Sequence, residues 1–287
     1  MRHDRVGRCR VTVVGLLAVA AASCGGGSPA TTAGDDATAT SATAGAATTA
    51  PARADRTVVE LVDCHQFGTN TGIDPAAARR HVPEGHELYL DGQGNARFAF
   101  VAKECADVVV DGEPQGTAHF TTAWIRITGP DETRTFPGGV PTMGPTDYFH
   151  PELFHTDNDR FAAAMARFGM PMTRADEMTF GPATPGPQTG SAADTQMEPP
   201  LRYRWSVDNV NRFPSTTGGI VHVLEGRDDE GRPLTYDIAC LAAGGFAGNA
   251  ATLEVDAGSP FADIIGTGFA GPGNGPDLDC TITITRG

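Results

Sequence analysis

From residue 57 onward, apolar residues recur at two-residue spacing in short runs broken by Gly, Pro, Asn and Asp. That is the pattern of half-buried strands joined by turns. Residues 57–63 open with a β-branched strand. Asp74 and Pro75 predict a short helix through about His81, with Asp74 as N-cap and Pro75 in the first turn. A strand over 86–90, a turn at 91–95, a returning strand at 96–102 continued by 107–110, a turn at 111–116 and a strand over 117–127 predict a hairpin meander. Residues 129–149 read as a long Gly/Pro loop. The clearest helix follows. Thr156 is its expected N-cap, with Asp159 placed as the acidic member of a capping box. Phe161, Met165 and Phe168 form the apolar stripe, and Gly169 and Pro171 end it.

Residues 182–199 read as a second Pro/Gly loop. Over 202–207 the alternation is clean, with Tyr203, Trp205 and Val207 on one face and Arg202, Arg204 and Ser206 on the other. Strands over 219–225 and 234–241 flank a turn at 227–231. A further strand covers 251–255, Ser259 is placed to cap a short helix through Ile265, and a last strand over 281–285 closes the sheet. Residues 266–271 match GxGxxG by letter. A dinucleotide site needs a helix after that motif, and the Pro/Gly run at 272–276 cannot supply one, so the stretch reads as loop. About ten strands and two or three short helices suit one sandwich or barrel domain. The expected fold class is mainly β (α+β), a closed or nearly closed antiparallel β-barrel over residues 56–287.

The N-terminus reads as an address. Arg2, Arg5, Arg8 and Arg10 precede an apolar stretch at 11–22, too short to span a bilayer and suited to a signal peptide over residues 1–23. Ala21-Ala22-Ser23-Cys24-Gly25 resembles the lipobox of bacterial lipoproteins, with Ala21 in place of the usual Leu. The resemblance implies an acylated (palmitate-type) Cys24, a lipid bilayer as partner and anchorage on the outer face of the bacterial cell membrane. Two or more acyl chains anchor stably where one does not. Residues 24–55 follow as a Gly/Ala/Ser/Thr tether that can build no core. Its coil span is about 30 Å.

The formal net charge is −14. Removing residues 1–23 takes away four Arg and one Asp, leaving 17 basic and 34 acidic side chains. Such acidity argues against a nucleic-acid or anionic-membrane surface. Four cysteines remain in an exported domain, which suggests two disulfides. Cys64 and Cys105 lie in neighbouring strand-like segments, as do Cys240 and Cys280, so the expected pairs are Cys64–Cys105 and Cys240–Cys280. A cysteine zinc site is disfavoured because no CxxC occurs.

A short helix ending in His81-Val82-Pro83-Glu84-Gly85 precedes the meander. Later come Tyr148-Phe149-His150, His155-Thr156-Asp157-Asn158-Asp159, a helix ending Phe168-Gly169-Met170-Pro171, and Gly258-Ser259-Pro260-Phe261. Together, over roughly residues 57–266, these resemble the acetoacetate decarboxylase-like fold, a closed conical β-barrel with a central cavity. The resemblance implies a Schiff-base lysine just after the Gly-x-Pro. Met172 stands there and cannot form an imine, and Arg174 stays protonated. The resemblance therefore implies the fold and argues against the family's decarboxylation. No catalytic residue carries over.

Lys103 is the sole lysine against 20 arginines. Buried, it could have a lowered pKa and do carbonyl chemistry. With Glu104 and Asp107 beside it, the expectation is an exposed ion-pair partner. His150, His155, Asp157 and Asp159 mix imidazole and carboxylate, as a Zn or Mn site would. Asp157 and Asp159 are equally explained by the first turn of a helix, so no metal is expected. His222 shares a face with Ile220 and Leu224. His119 shares one with Thr121, Ala123 and Ile125. With Tyr203 and Trp205 these are the candidate ligand-binding residues. No GxSxG, HExxH or Walker motif is present, and no cofactor is implied.

The expected function is a membrane-anchored lipoprotein whose barrel binds a small, partly apolar ligand. One alternative is an exported enzyme using histidine and carboxylate chemistry on a carbonyl or lipid-like substrate. The other is a surface interaction protein with a filled barrel. A cavity below about 300 Å³ would favour the last.

Overall fold

In chain order the strands are β1 (Arg56–Ile73), β2 (Ala96–Val110), β3 (Glu113–Ile127), β4 (Asp147–Thr156), β5 (Thr173–Arg174), β6 (Glu177–Phe180), β7 (Gln188–Asp194), β8 (Leu201–Phe213), β9 (Gly218–Arg227), β10 (Pro233–Val255) and β11 (Gly268–Arg286). The helices are α1 (Pro75–Arg79), α2 (Asp159–Phe168) and α3 (Ala262–Ile265). This computed structural model describes residues 54–287 except 131, 133, 171, 182–187 and 214–217, and leaves out the side chains of 208–213 and 246–249. The expected signal peptide, the expected lipidation site Cys24 and nearly all of the expected tether lie outside the described residues.

Seven strands pair in a closed ring, in the order β11-β1-β2-β3-β4-β9-β10, with β10 pairing back onto β11. The expected mainly β fold with a closing sheet is thus present. One closure differs from the antiparallel expectation, because β4 and β9 run parallel at Asp147↔His222 to Phe149↔Leu224. The far half of β10 leaves the ring and carries a wing of β8, β7 and β6. One hydrophobic core draws on all seven ring strands and α2, and so fills the ring. A second core lies between the outer faces of β1 to β4 and the wing.

The meander forms because β2 and β3 turn on Asp111-Gly112. Both residues have positive φ (51° and 83°), which suits the tight twist of a two-residue hairpin. The turn is shorter than expected, since β3 begins at Glu113. Residues 118–127 of β3 are buried except at His119 and Arg126. Both faces of the strand meet a core, so buried positions follow one another without regular alternation. In β8, Tyr203, Trp205 and Val207 are buried while Arg202 and Arg204 are exposed, matching the alternation. Gly190 of β7 lies under Trp205, and a Cβ there would fall inside the indole.

Several boundaries differ. β4 runs through part of the expected 129–149 loop and onward to Thr156. Pro151 obscured it, and the strand accommodates that stretch with a bulge opposite Ala123 and Trp124. Residues 86–90 make only isolated bridges. β7 occupies part of the second expected loop. The separate strands at 234–241 and 251–255 are one irregular β10. Residues 268–276 are strand, not loop, because β10 and β1 supply ladder partners to the Gly-rich backbone. The cap of α2 is Asn158, which accepts from the Phe161 N–H at 2.9 Å. Thr156 instead ends β4 and accepts from the Asn158 N–H. Ser259 Oγ has no hydrogen-bond partner and caps nothing.

Both expected disulfides are present. Cys64 lies opposite Cys105 on β1 and β2, and Cys240 opposite Cys280 on β10 and β11, each with Cα atoms 4.0 Å apart.

Candidate functional site in the ring

Strand alternation sends Phe98, Phe100 and Ala102 of β2 to the outer core and Val101, Lys103 and Cys105 to the ring interior. Lys103 is therefore 5% exposed, not the surface ion-pair partner expected from its neighbours. Those acids go elsewhere: Glu104 lies 3.5 Å from His119 Nε2, and Asp107 accepts from the Gly116 N–H at 2.8 Å. Lys103 Nζ lies 5.7 Å from the centre of the Phe120 ring and 3.8 Å from Cys280 Sγ. No carboxylate pairs with it among the described residues. Loss of hydration without a compensating anion disfavours the ammonium and pushes its pKa down to about 8.

Lys103 borders an enclosed space of about 40 Å³. Helix α2 and the segment after it form one wall, through Phe161, Met165, Met170 and Met172. Among the described residues Lys103 is the only charged side chain in the lining. Three other lining residues carry a buried polar atom with no hydrogen-bond partner: Thr122 Oγ1, Trp124 Nε1 and Tyr236 Oη. Burial, with Asp228 adding, raises the Tyr236 phenol above its ordinary pKa.

The residues chosen from sequence lie elsewhere. His119 is on the outer face of β3. Its Nδ1 is 2.6 Å from Asp157 Oδ2, its backbone N–H donates to the same carboxylate, and its ring stacks on Phe180. The Asp157 hydrogen bond raises the His119 pKa. Asp157→Asn lowers that pKa in an NMR titration. A raised folded pKa stabilises below the unfolded value and is lost as pH rises through the folded one. The stability lost in Asp157→Asn is therefore greater near about pH 5 than near about pH 9. A His119 pKa that stays put in the variant would contradict the pairing.

Tyr203 and Trp205 belong to the outer core. The Tyr203 hydroxyl bonds Thr121 and lies 3.2 Å from His155 Nδ1, while His155 Nε2 lies 3.5 Å from Asp194. Burial holds His155 down to about 4 against the pull of Asp194. Tyr203 backs an open surface groove of about 850 Å³ beside Arg202 and Arg204, and Trp205 backs a smaller one of about 340 Å³. His222 packs edge-on against Trp124 and Phe149, outside the cavity lining, with Nδ1 buried and unpartnered. Burial first, then Lys103 and Arg126, push its pKa to about 4.

His150, His155, Asp157 and Asp159 are dispersed: His150 Nδ1 donates to the Glu225 carbonyl, and Asp159 pairs with Arg174. Among the described residues no three His, Cys, Asp or Glu side chains are grouped to hold a metal ion. Thr122, Trp124 and Tyr236 were not singled out from sequence. The signal available was for Lys103, which shares a strand face with the apolar Ala99, Val101 and Cys105.

No protein-family model and no curated protein matches the chain. Solved structures do. The enduracididine biosynthesis enzyme MppR complexed with pyruvate is 14% identical, covering 85% of this chain and 92% of that one, with a TM-score of 0.49. Acetoacetate decarboxylase from Legionella pneumophila is 10% identical, covering 80% and 85%, with a TM-score of 0.49. An acetoacetate decarboxylase-like enzyme from Sphingomonas wittichii is 12% identical, covering 80% and 92%, with a TM-score of 0.46. The chain resembles acetoacetate decarboxylase-like enzymes. At such identities the likeness concerns the fold and gives no residue of this chain a role. Met172, where the sequence resemblance places the lysine, lines the same cavity as Lys103.

Proposed function

We propose that this protein is an exported, membrane-anchored lipoprotein whose ring takes up a small, partly apolar carbonyl compound, with Lys103 as the amine that bonds to it. The observation that carries this reading is a lysine with no carboxylate partner among the described residues, buried in an apolar cavity with its pKa at about 8. At that pH about half of the Lys103 amines are neutral, against about 0.3% for an ordinary lysine. The neutral nitrogen lone pair attacks the carbonyl carbon to give a carbinolamine. Loss of water then breaks the C–O bond and leaves a C=N bond to Nζ. The His119–Asp157 pair lies outside the cavity and supplies no group to this step.

Borohydride added to the folded domain with propanone would reduce the imine to a stable isopropyl amine. Peptide mass mapping is expected to place it on the peptide holding Lys103, and Lys103→Met to lose it. A folded domain left unmodified at Lys103 sinks the reading. The small cavity favours a second one, a ring filled by its own side chains, since about 40 Å³ is far below an ordinary ligand site. The unmodified outcome selects it.

Anchorage rests on the arginines and apolar stretch of residues 1–23 and on the sequence around Cys24. An acylated N-terminal peptide beginning at Cys24 is expected in detergent-extracted protein and is absent in Cys24→Ser. A mature chain still starting at Met1 would contradict it.

A further inference from the structure

The cavity does more than isolate an amine. Thr122 Oγ1, Trp124 Nε1 and Tyr236 Oη are buried, without partners, on three residues of one lining. Buried donors are rarely left unpaired, and here three share a space with Lys103. An indole N–H only donates, and the two hydroxyls can donate. The rest of the lining is apolar and holds no carboxylate or guanidinium among the described residues. Such a surface suits a molecule that accepts hydrogen bonds at one end and is apolar at the other. Size narrows it further. About 40 Å³, at about 10–15 Å³ per water, has room for about three or four non-hydrogen atoms.

We infer that Trp124 and Tyr236, with Thr122 of the same lining, receive the carbonyl oxygen of the ligand, and that the site selects uncharged two- and three-carbon aldehydes and ketones. The inference rests on Lys103 being the bonding amine and adds which compounds it meets. Attack by Nζ moves negative charge onto that oxygen. Fixed donors in a dry cavity then stabilise the charged tetrahedral adduct more than the free carbonyl, until its oxygen takes a proton from Nζ and the neutral carbinolamine is formed. Above about pH 8, where Nζ is mostly neutral, a carboxylate would enter at the expense of its hydration and meet only neutral donors.

The chain has two tryptophans, so the ¹⁵N-labelled folded domain gives two indole N–H signals, assigned with Trp205→Phe. Acetamide has a carbonyl acceptor and forms no imine, and acetate is its charged counterpart of similar size. At about pH 9, where Lys103 is mostly neutral, the Trp124 signal is expected to move with acetamide, not with acetate, while the Trp205 signal stays. Tyr236→Phe keeps the ring and drops the hydroxyl. With reductant in excess, it is expected to slow maximal propanone trapping about a hundredfold, with little change in the half-saturating concentration. A Trp124 signal unmoved by acetamide, equal movement with acetate, or unchanged trapping in Tyr236→Phe overturns the inference. A Trp124 shift with acetamide beside an unmodified Lys103 retains the donors and removes the amine reading. Lys103 trapping with a silent Trp124 does the reverse.

Discussion

Lys103→Met is expected to raise the unfolding free energy of the domain by about 3 kcal/mol at neutral pH. The folded pKa is about 8 against 10.5 for a free lysine, and each unit of difference is about 1.4 kcal/mol. Between those values the unfolded chain holds the proton that the folded chain has released, so wild-type stability rises with pH from about 8 to about 10.5. Below about 8 both states carry the proton, and the whole penalty of burying an ammonium is present. The gap between the Lys103→Met variant and wild type is therefore widest below pH 8 and closes above the free-lysine pKa. Urea midpoints across that range measure it. A gap that does not change with pH would mean that Lys103 is solvated. The methionine side chain matches the lysine stem in an apolar lining, so little packing is lost.

The second large effect is on the cross-links. Cys64→Ala with Cys105→Ala opens a separation of 41 residues, and Cys240→Ala with Cys280→Ala one of 40. In the chain-entropy account each pair is worth about 4 kcal/mol. Because both join neighbouring strands directly across the ladder, the native sheet needs little adjustment when they go, and the loss falls mainly on the unfolded chain. Urea midpoints of the two double variants should fall by similar amounts. A loss below about 1 kcal/mol in either would show that the unfolded chain is already held compact. The pairs differ in one respect. Only the second removes the sulfur 3.8 Å from Lys103 Nζ, so only that variant should shift the pH dependence of Lys103 trapping.

Much of the local structure was readable. The turn residues of the meander, the Asp74 cap, the stripe of α2 and the single-faced alternation of β8 all depend on neighbours in sequence, and all appear. The cysteine pairs were readable because cross-strand partners follow from which strands adjoin. β4 was not, since Pro151 breaks the alternation and only the β3 ladder and the β9 edge restore it. The Gly/Pro stretch opening β11 was lost for a similar reason. Its strand state comes from partners on β10 and β1, not from its own propensities.

The candidate residues show the same division. His119 does share a face with Thr121, Ala123 and Ile125, as its spacing required. That face meets the wing and not the hollow of the ring. Where a strand is covered on both sides, alternation separates two faces without saying which looks inward. Lys103 illustrates the consequence most plainly. Its sequence neighbours Glu104 and Asp107 suggested an ion pair, yet a pleated strand turns adjacent side chains to opposite faces.

By itself, then, the chain's order of residues determined a two-residue period, its turns, its caps and the partners of its cysteines, because these interactions span a few residues or adjacent strands. Only the tertiary structure decided that β4 and β9 close the ring in parallel, that one face of β2 is sealed from water, and that Lys103, Thr122, Trp124 and Tyr236 share a cavity. Those outcomes depend on contacts between segments as far apart as Lys103 and Cys280, 177 residues, and the energy of a buried charge or donor is set by what surrounds it, not by what precedes it.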